Sequence, residues 1–145
     1  MVTFKINGID FSSLVVRIDR TADKLDKYAE RTLDGDLKRE VIGTYVNYKL
    51  SFGNNVKDKN LYNSMFLQLI RPVDFVTIEM PKILNRGQNP NDPTIPGNIF
   101  QGYIAGVKDT IIYLSDSIQI YEGLECEIVT KKPTWRAGNS QPIWS

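Results

Sequence analysis

Residues 17–53 decide the fold, and they read RIDRTADKLDKYAERTLDGDLKREVIGTYVNYKLSFG. The second half of this segment alternates in polarity. Successive side chains of a β-strand point to opposite faces, so strict alternation predicts a half-buried strand with one wet face. The inward positions are Thr44, Val46, Tyr48, Leu50 and Phe52, and the outward ones are Tyr45, Asn47, Lys49 and Ser51.

The first half of the segment is dominated by charge. Between Asp19 and Glu40 it contains seven acids and six bases, with a turn signal at Asp34-Gly35. Two interpretations remain open. The segment is either an extended β-ribbon or an amphipathic helix, since apolar residues also recur at helical spacing. The helical positions would be Ala22, Leu25, Ala29 and Leu33.

A ribbon of this composition needs a neighbour, because an isolated hairpin is marginally stable in water. We therefore predict an arm over residues 20–43 that projects from the body and pairs with another copy of the chain or with another partner. Mixed charge on such a surface sets register and orientation more than affinity. The predicted contact residues of the arm are Arg20, Lys27, Tyr28, Arg31, Asp34, Asp36, Lys38, Arg39 and Glu40.

Other elements follow from local patterns. Asn7-Gly8 is a hairpin signal, and we predict that residues 3–6 pair with residues 14–18. An apolar stripe predicts a helix that starts at Lys57 or Asp58 and ends at Ile70, because Pro72 follows. The predicted core contains Leu50, Phe52, Leu61, Met65, Phe66 and Leu69.

The second half of the chain is rich in strand signals. We predict strands over residues 73–80, 99–107 and 124–130, the last being the final strand, and a hairpin of residues 110–114 with 118–121. Residues 82–98 contain three prolines and two glycines, which predicts a long exposed loop. In the tail, residues 131–145, Trp135 and Trp144 dock either on their own core or on a neighbouring subunit.

Composition argues against several classes of function. The chain has 145 residues, which suits a single domain over residues 1–145, and its net charge is only +1. Neither nucleic-acid binding nor membrane association is expected from such a balance. Histidine is absent and Cys126 is the lone cysteine, so the usual general base and zinc ligands are missing. We expect no catalytic residue, no cofactor and no bound metal.

Three stretches together resemble a known family. They are NGIDFSSLVVRIDR at 7–20, the pattern R-T-x-D-G-x-L-x-R-E-x-I-G-x-Y-x-N-Y-x-L-x-F-G at 31–53, and KDKNLYNSMFLQLIRPVDFVTIEMP at 57–81. Their arrangement resembles the tail-tube fold of tail-tube and distal-tail (baseplate hub) proteins of long-tailed bacteriophages. The second pattern is similar to short prophage tail proteins of Gram-positive bacteria. Residues 82–98 and the tryptophan tail have no counterpart in this family.

The resemblance implies a mainly β fold, β-sandwich or barrel-like, with one helix packed on it and an extended charged arm. It also implies a non-enzymatic virion protein that assembles in the host cytoplasm. Its partners would be itself, in a homo-oligomeric ring, and other virion proteins. The alternative function is a β-sandwich module that binds carbohydrate or peptide through Trp135, Trp144 or the proline-rich loop. Oligomerisation would favour assembly, whereas a binding module would stay monomeric.

Overall fold

Strands account for most of the chain in the computed structural model, which describes residues 3–53 and 59–138. A mainly β fold with one α-helix in the described part confirms the predicted fold class. The strands are β1 (Lys5–Ile6), β2 (Ile9–Asp10), β3 (Val15–Arg31), β4 (Leu37–Phe52), β5 (Val76–Met80), β6 (Asn98–Tyr113), β7 (Gln119–Thr130) and β8 (Trp135–Arg136). The helix α1 spans Lys59–Ile70, and a short 3-10 helix spans Ser12–Leu14.

All the strands belong to one antiparallel sheet. Its order is β2-β1-β5-β6-β7-β4-β3, and β8 pairs with β4 beside that path. The sheet does not close on itself. Its two edges differ greatly, because β2 has only two residues whereas β3 has 17.

The core lies between one face of the sheet and helix α1. Tyr48, Leu50 and Phe52 are buried, which confirms the predicted alternation over residues 48–52, whereas residues 44–47 are all half-buried. Leu50, Phe52, Met65 and Leu69 are buried in one cluster as predicted, but Leu61 and Phe66 are only partly buried. Tyr62 fills the centre of the helix face instead. The predicted stripe is therefore confirmed in position, and its buried centre is Tyr62, Met65 and Leu69, because Leu61 and Phe66 lie at the edges of the helical face.

The predicted opening hairpin is wrong in its partner strand. Asn7 and Gly8 have φ angles of 51° and 83°, so they form the expected tight turn, but it joins β1 to β2. A two-residue turn pairs the residues immediately beside it, which leaves no place for residues 14–18. Val15 and Ile18 pair instead with Phe52 and Leu50, at the opposite edge of the sheet.

The connections mostly follow expectation. Residues 81–97 contain no strand or helix and are largely exposed, which confirms the long loop. The strand ending at Thr130 is not the last, since β8 follows it.

The predicted helix start, at Lys57 or Asp58, lies outside the described residues. Within the described ranges, no helix has the length and apolar character to cross a membrane.

Candidate assembly surfaces

Two long hairpins extend from the body. We call the hairpin of β3 and β4 the first ribbon and that of β6 and β7 the second ribbon. Strands β4 and β7 each run from the turn of their own ribbon towards the body, and they pair antiparallel from Tyr48↔Ile128 to Ser51↔Glu125. Two antiparallel strands that both start at a ribbon tip must have those tips at opposite ends. The two ribbons therefore project in opposite directions along the sheet.

The first ribbon confirms the extended interpretation of the charged segment, and the helical alternative is wrong. Its outer part leaves the body at Val41. On the side of β4 away from β3, the contacts nearest to the ribbon tip are made by residues 136 and 137. Gly43 pairs with Arg136, and the Ala137 N–H donates to the Ile42 carbonyl at 3.1 Å. The predicted arm, residues 20–43, was therefore drawn too long. Arg20 pairs with Tyr48 within the body, and the projecting part comprises residues 26–41.

A compact turn closes the first ribbon, as Asp34-Gly35 predicted. The Gly35 N–H donates to the Thr32 carbonyl at 3.0 Å, and the Thr32 N–H donates to the Asp36 carbonyl at 2.8 Å. Gly35 has a φ of 89°, a region that glycine adopts without steric cost. The Thr32 hydroxyl donates to the Asp34 carboxylate, and this bond lowers the pKa of Asp34. The turn is thus held by its own residues.

The predicted arm contacts all lie on this ribbon, and their role as contacts stays a prediction. Strand β3 carries Arg20, Lys27, Tyr28 and Arg31, strand β4 carries Lys38, Arg39 and Glu40, and the turn carries Asp34 and Asp36. What the sequence did not reveal is that β3 is the edge of the sheet. It pairs with β4 on one side, and no described strand pairs with its other side.

The second ribbon is braced by helix α1. The Tyr62 hydroxyl donates to Asp109 Oδ2 at 2.7 Å, and the ring of Tyr62 stacks on Tyr121 with centroids 4.7 Å apart. Burial, followed by the bond to Asp109, raises the pKa of Tyr62. Lys59 Nζ donates to the Gln119 carbonyl at 2.7 Å. Contacts with helix α1 therefore reach along one face of the ribbon as far as the Gln119 backbone, although Ile111 and Tyr113 on that face are exposed.

The opposite face of the second ribbon is apolar and exposed near its tip. Ile111 pairs with Tyr121 on the helix side, so Ile112 and its partner Ile120 point away from the helix. The Leu114 N–H donates to the Ile118 carbonyl at 2.9 Å, and these two side chains are 63% and 51% exposed. Contiguous exposed apolar residues of this kind mark interaction surfaces.

The sequence predicts the second ribbon as separate pieces, namely strands over residues 99–107 and 124–130 and a hairpin at the tip. The hairpin of residues 110–114 with 118–121 is confirmed, but it is the end of one continuous ribbon of β6 and β7. Irregular pairing between Ala105 and Thr110 interrupts the alternation. Gly106 and Gly123 have φ angles of 64° and 69°, so they are the signals of these bulges.

A pocket of about 290 Å³ lies beside β8. Its lining includes Asn98, Phe100, Thr130, Lys132 and Thr134. Asn98 is buried and its Nδ2 donates to the Tyr48 hydroxyl at 2.7 Å, so this polar group already has a partner in the core. Its volume is at the lower limit of ligand sites.

Of the two tail tryptophans, only Trp135 lies within the described residues. Trp135 lies on β8, whose backbone pairs with β4 of the same chain, and 41% of its surface is exposed. Trp144 lies outside the described residues. The tail backbone therefore pairs with the chain's own sheet at Trp135, and contact of the Trp135 side chain with a neighbouring subunit stays a prediction.

Comparison with protein-family models gave no match, and comparison with curated proteins gave none either.

Proposed function

We propose that this chain is a non-enzymatic structural protein of a bacteriophage tail or tail-like particle. Its copies would form a ring, a tube or a baseplate hub through inter-subunit β contacts. The observation that carries the proposal is the pair of ribbons that project in opposite directions, one of them with an open edge strand of 17 residues. The resemblance of residues 1–81 to phage tail proteins supports the choice of particle.

The open edge of β3 is a ready-made site for another strand. Soluble proteins usually keep their edge strands short or covered, because unpaired backbone groups attract other chains. Strand β3 is neither short nor covered by a described strand. A strand added to this edge gains main-chain hydrogen bonds, while side chains provide specificity. The alternating charges of β3 repel unmatched strands and admit a matched one.

The second ribbon supplies a contact of different chemistry. Its free face presents Ile112, Leu114, Ile118 and Ile120, whereas the first ribbon is charged. Apolar area removed from water stabilises an interface by about 25 cal/mol per Å². Because the tips point in opposite directions, one subunit offers contacts at both ends of its sheet. Such a subunit suits a closed or extended assembly.

Sedimentation velocity of the intact chain over a wide range of concentrations tests this proposal. We expect the mass to rise above the 16.5 kDa of one chain, and negative-stain electron microscopy of the concentrated sample to show rings or short tubes. A chain that remains at 16.5 kDa at every concentration would refute the proposal.

The pocket beside β8 favours a second candidate function, a module that binds carbohydrate or peptide. Phe100, which is 9% exposed, forms part of the pocket wall, and Lys132 offers a charged group, while the Thr134 hydroxyl accepts from the Val46 N–H at 3.2 Å. This candidate predicts a monomer whose tryptophan fluorescence changes when a glycan or peptide ligand is added. An oligomer whose fluorescence is indifferent to such ligands would leave the assembly protein as the better account.

A further inference from the structure

The charges of strand β3 follow a mirror rule about Leu25. Residues 19–31 read DRTADKLDKYAER. Within residues 19–31, every charged residue on one side of Leu25 has a residue of opposite charge at the same distance on the other side. The four mirror pairs are Asp19 with Arg31, Arg20 with Glu30, Asp23 with Lys27, and Lys24 with Asp26. The neutral residues also match, Thr21 with Ala29 and Ala22 with Tyr28.

This pattern is what an antiparallel pair of identical strands requires. If two copies of β3 lie side by side across a two-fold axis at Leu25, each residue faces its mirror position on the other copy. Each of the four charge pairs then occurs twice, and Leu25 meets its own copy at the centre. Opposite charges directly across two strands stabilise the pairing, and like charges destabilise it.

Neighbouring registers do not share this property. If the two-fold axis lay at Lys24 or at Asp26, that charged residue would face its own copy. If the axis lay midway between Lys24 and Leu25, Asp23 would face Asp26. If it lay midway between Leu25 and Asp26, Lys24 would face Lys27. The charges therefore select one register and reject those beside it, which is how natural strands specify a partner.

The structure makes this edge accessible. No described strand occupies the outer side of β3, and Leu25 is 49% exposed. In the pairing of β3 with β4, one residue of β4, Ile42, and then one residue of β3, Lys27, have no partner. Because one residue is skipped on each strand, the register before the irregularity is restored at Tyr28↔Glu40. Strand β3 thus keeps its spacing on both sides of Leu25 apart from this local distortion.

We infer that β3 pairs antiparallel with β3 of a second copy of this chain, across a two-fold axis at Leu25. The inference rests on the proposed function and specifies the contact made by the first ribbon. A two-fold contact is complete with two subunits. The first ribbon would therefore join subunits in pairs, or one ring to another face to face, while the second ribbon remains free for other contacts.

Charge reversal tests the register. In the variants Asp23→Lys and Lys27→Asp, each dimer acquires two like-charge pairs, and we expect dimerisation to weaken by about tenfold or more. The double variant Asp23→Lys with Lys27→Asp restores opposite charges in both places, so its affinity should return to within about threefold of the parent. Asp74→Lys and Arg86→Glu change exposed charges elsewhere by the same amount and should have no such effect.

Cysteine cross-linking tests the two-fold axis. A residue cross-links efficiently to its own copy only where it lies at such an axis. Leu25→Cys should therefore give a covalent dimer with a short bismaleimide. Leu37→Cys, on β4 with a similar exposure of 50%, is the matched control. Cys126 is buried, which raises the pKa of its thiol to about 12 and keeps it unreactive in the folded protein.

The outcomes separate this inference from the proposed function. The β3 pairing alone is overturned if the double variant dimerises as weakly as the single variants. It is also overturned if, in an assembled sample, Leu25→Cys forms no more covalent dimer than Leu37→Cys. A chain that never assembles overturns both. Restored affinity together with selective cross-linking at Leu25 supports both.

Discussion

Removal of residues 27–40, with Asp26 joined to Val41 through Asn-Gly, should abolish assembly and leave the body folded. The deleted part lies beyond the last contacts of β4 with β8 and residue 137, so the described core loses no buried side chain. Asn-Gly forms the tight turn that two facing strand ends need. Light scattering should report a single chain at concentrations where the intact protein assembles, with an unchanged β-rich circular dichroism spectrum.

The matched control for this deletion is a shortening of the exposed loop. Removing residues 84–90 takes out chain that contains no strand or helix and no member of the buried core cluster. Assembly should survive in this variant. If the ribbon deletion assembles like the intact chain, or if both deletions abolish assembly equally, the first ribbon is not the contact.

Leu114→Glu at the tip of the second ribbon should weaken assembly by about tenfold or more. The side chain is 63% exposed in the single chain, so the free protein has little to lose. In an assembled particle the new carboxylate would have to be buried without a partner, and such burial is costly. Sedimentation velocity gives the shift in midpoint concentration, and thermal unfolding should show a stability close to that of the parent.

Leu84→Glu places the same charge at an exposed leucine of the long loop and is the control for this variant. It should assemble like the parent. Normal assembly of the Leu114→Glu protein would mean that the second ribbon faces solvent in the particle, and the apolar tip would then need another explanation.

Local patterns predicted the parts of the fold that depend on neighbours in sequence. The alternation from Tyr48 to Phe52, the stripe around Met65 and the turn at Gly35 each depend on a few adjacent residues, and the structure contains all three. The opening hairpin failed because residues 14–18 pair with residues 50–52, and no local signal specifies a partner so distant in sequence. Strand pairing is a long-range property.

The candidate assembly surfaces, like the fold, were predictable from the sequence only in part. Charge alone indicated that the first ribbon projects and needs a neighbour, but only the sheet order shows that β3 is an open edge. The second ribbon was divided into separate strands, because bulges at Gly106 and Gly123 break the alternation that identifies a strand. The exposure of Leu114 and Ile118 likewise depends on where helix α1 packs, which a sequence pattern does not state.

The central claim is that the outer edge of β3 pairs with another copy of this chain. Hydrogen exchange of the backbone amides over residues 17–31, in dilute and in concentrated samples, tests it most directly. We predict that alternate amides of β3 exchange quickly when the protein is dilute and become protected as it assembles, while those of residues 99–104 in β6 stay protected throughout. Assembly without any gain of protection in β3 would contradict the claim.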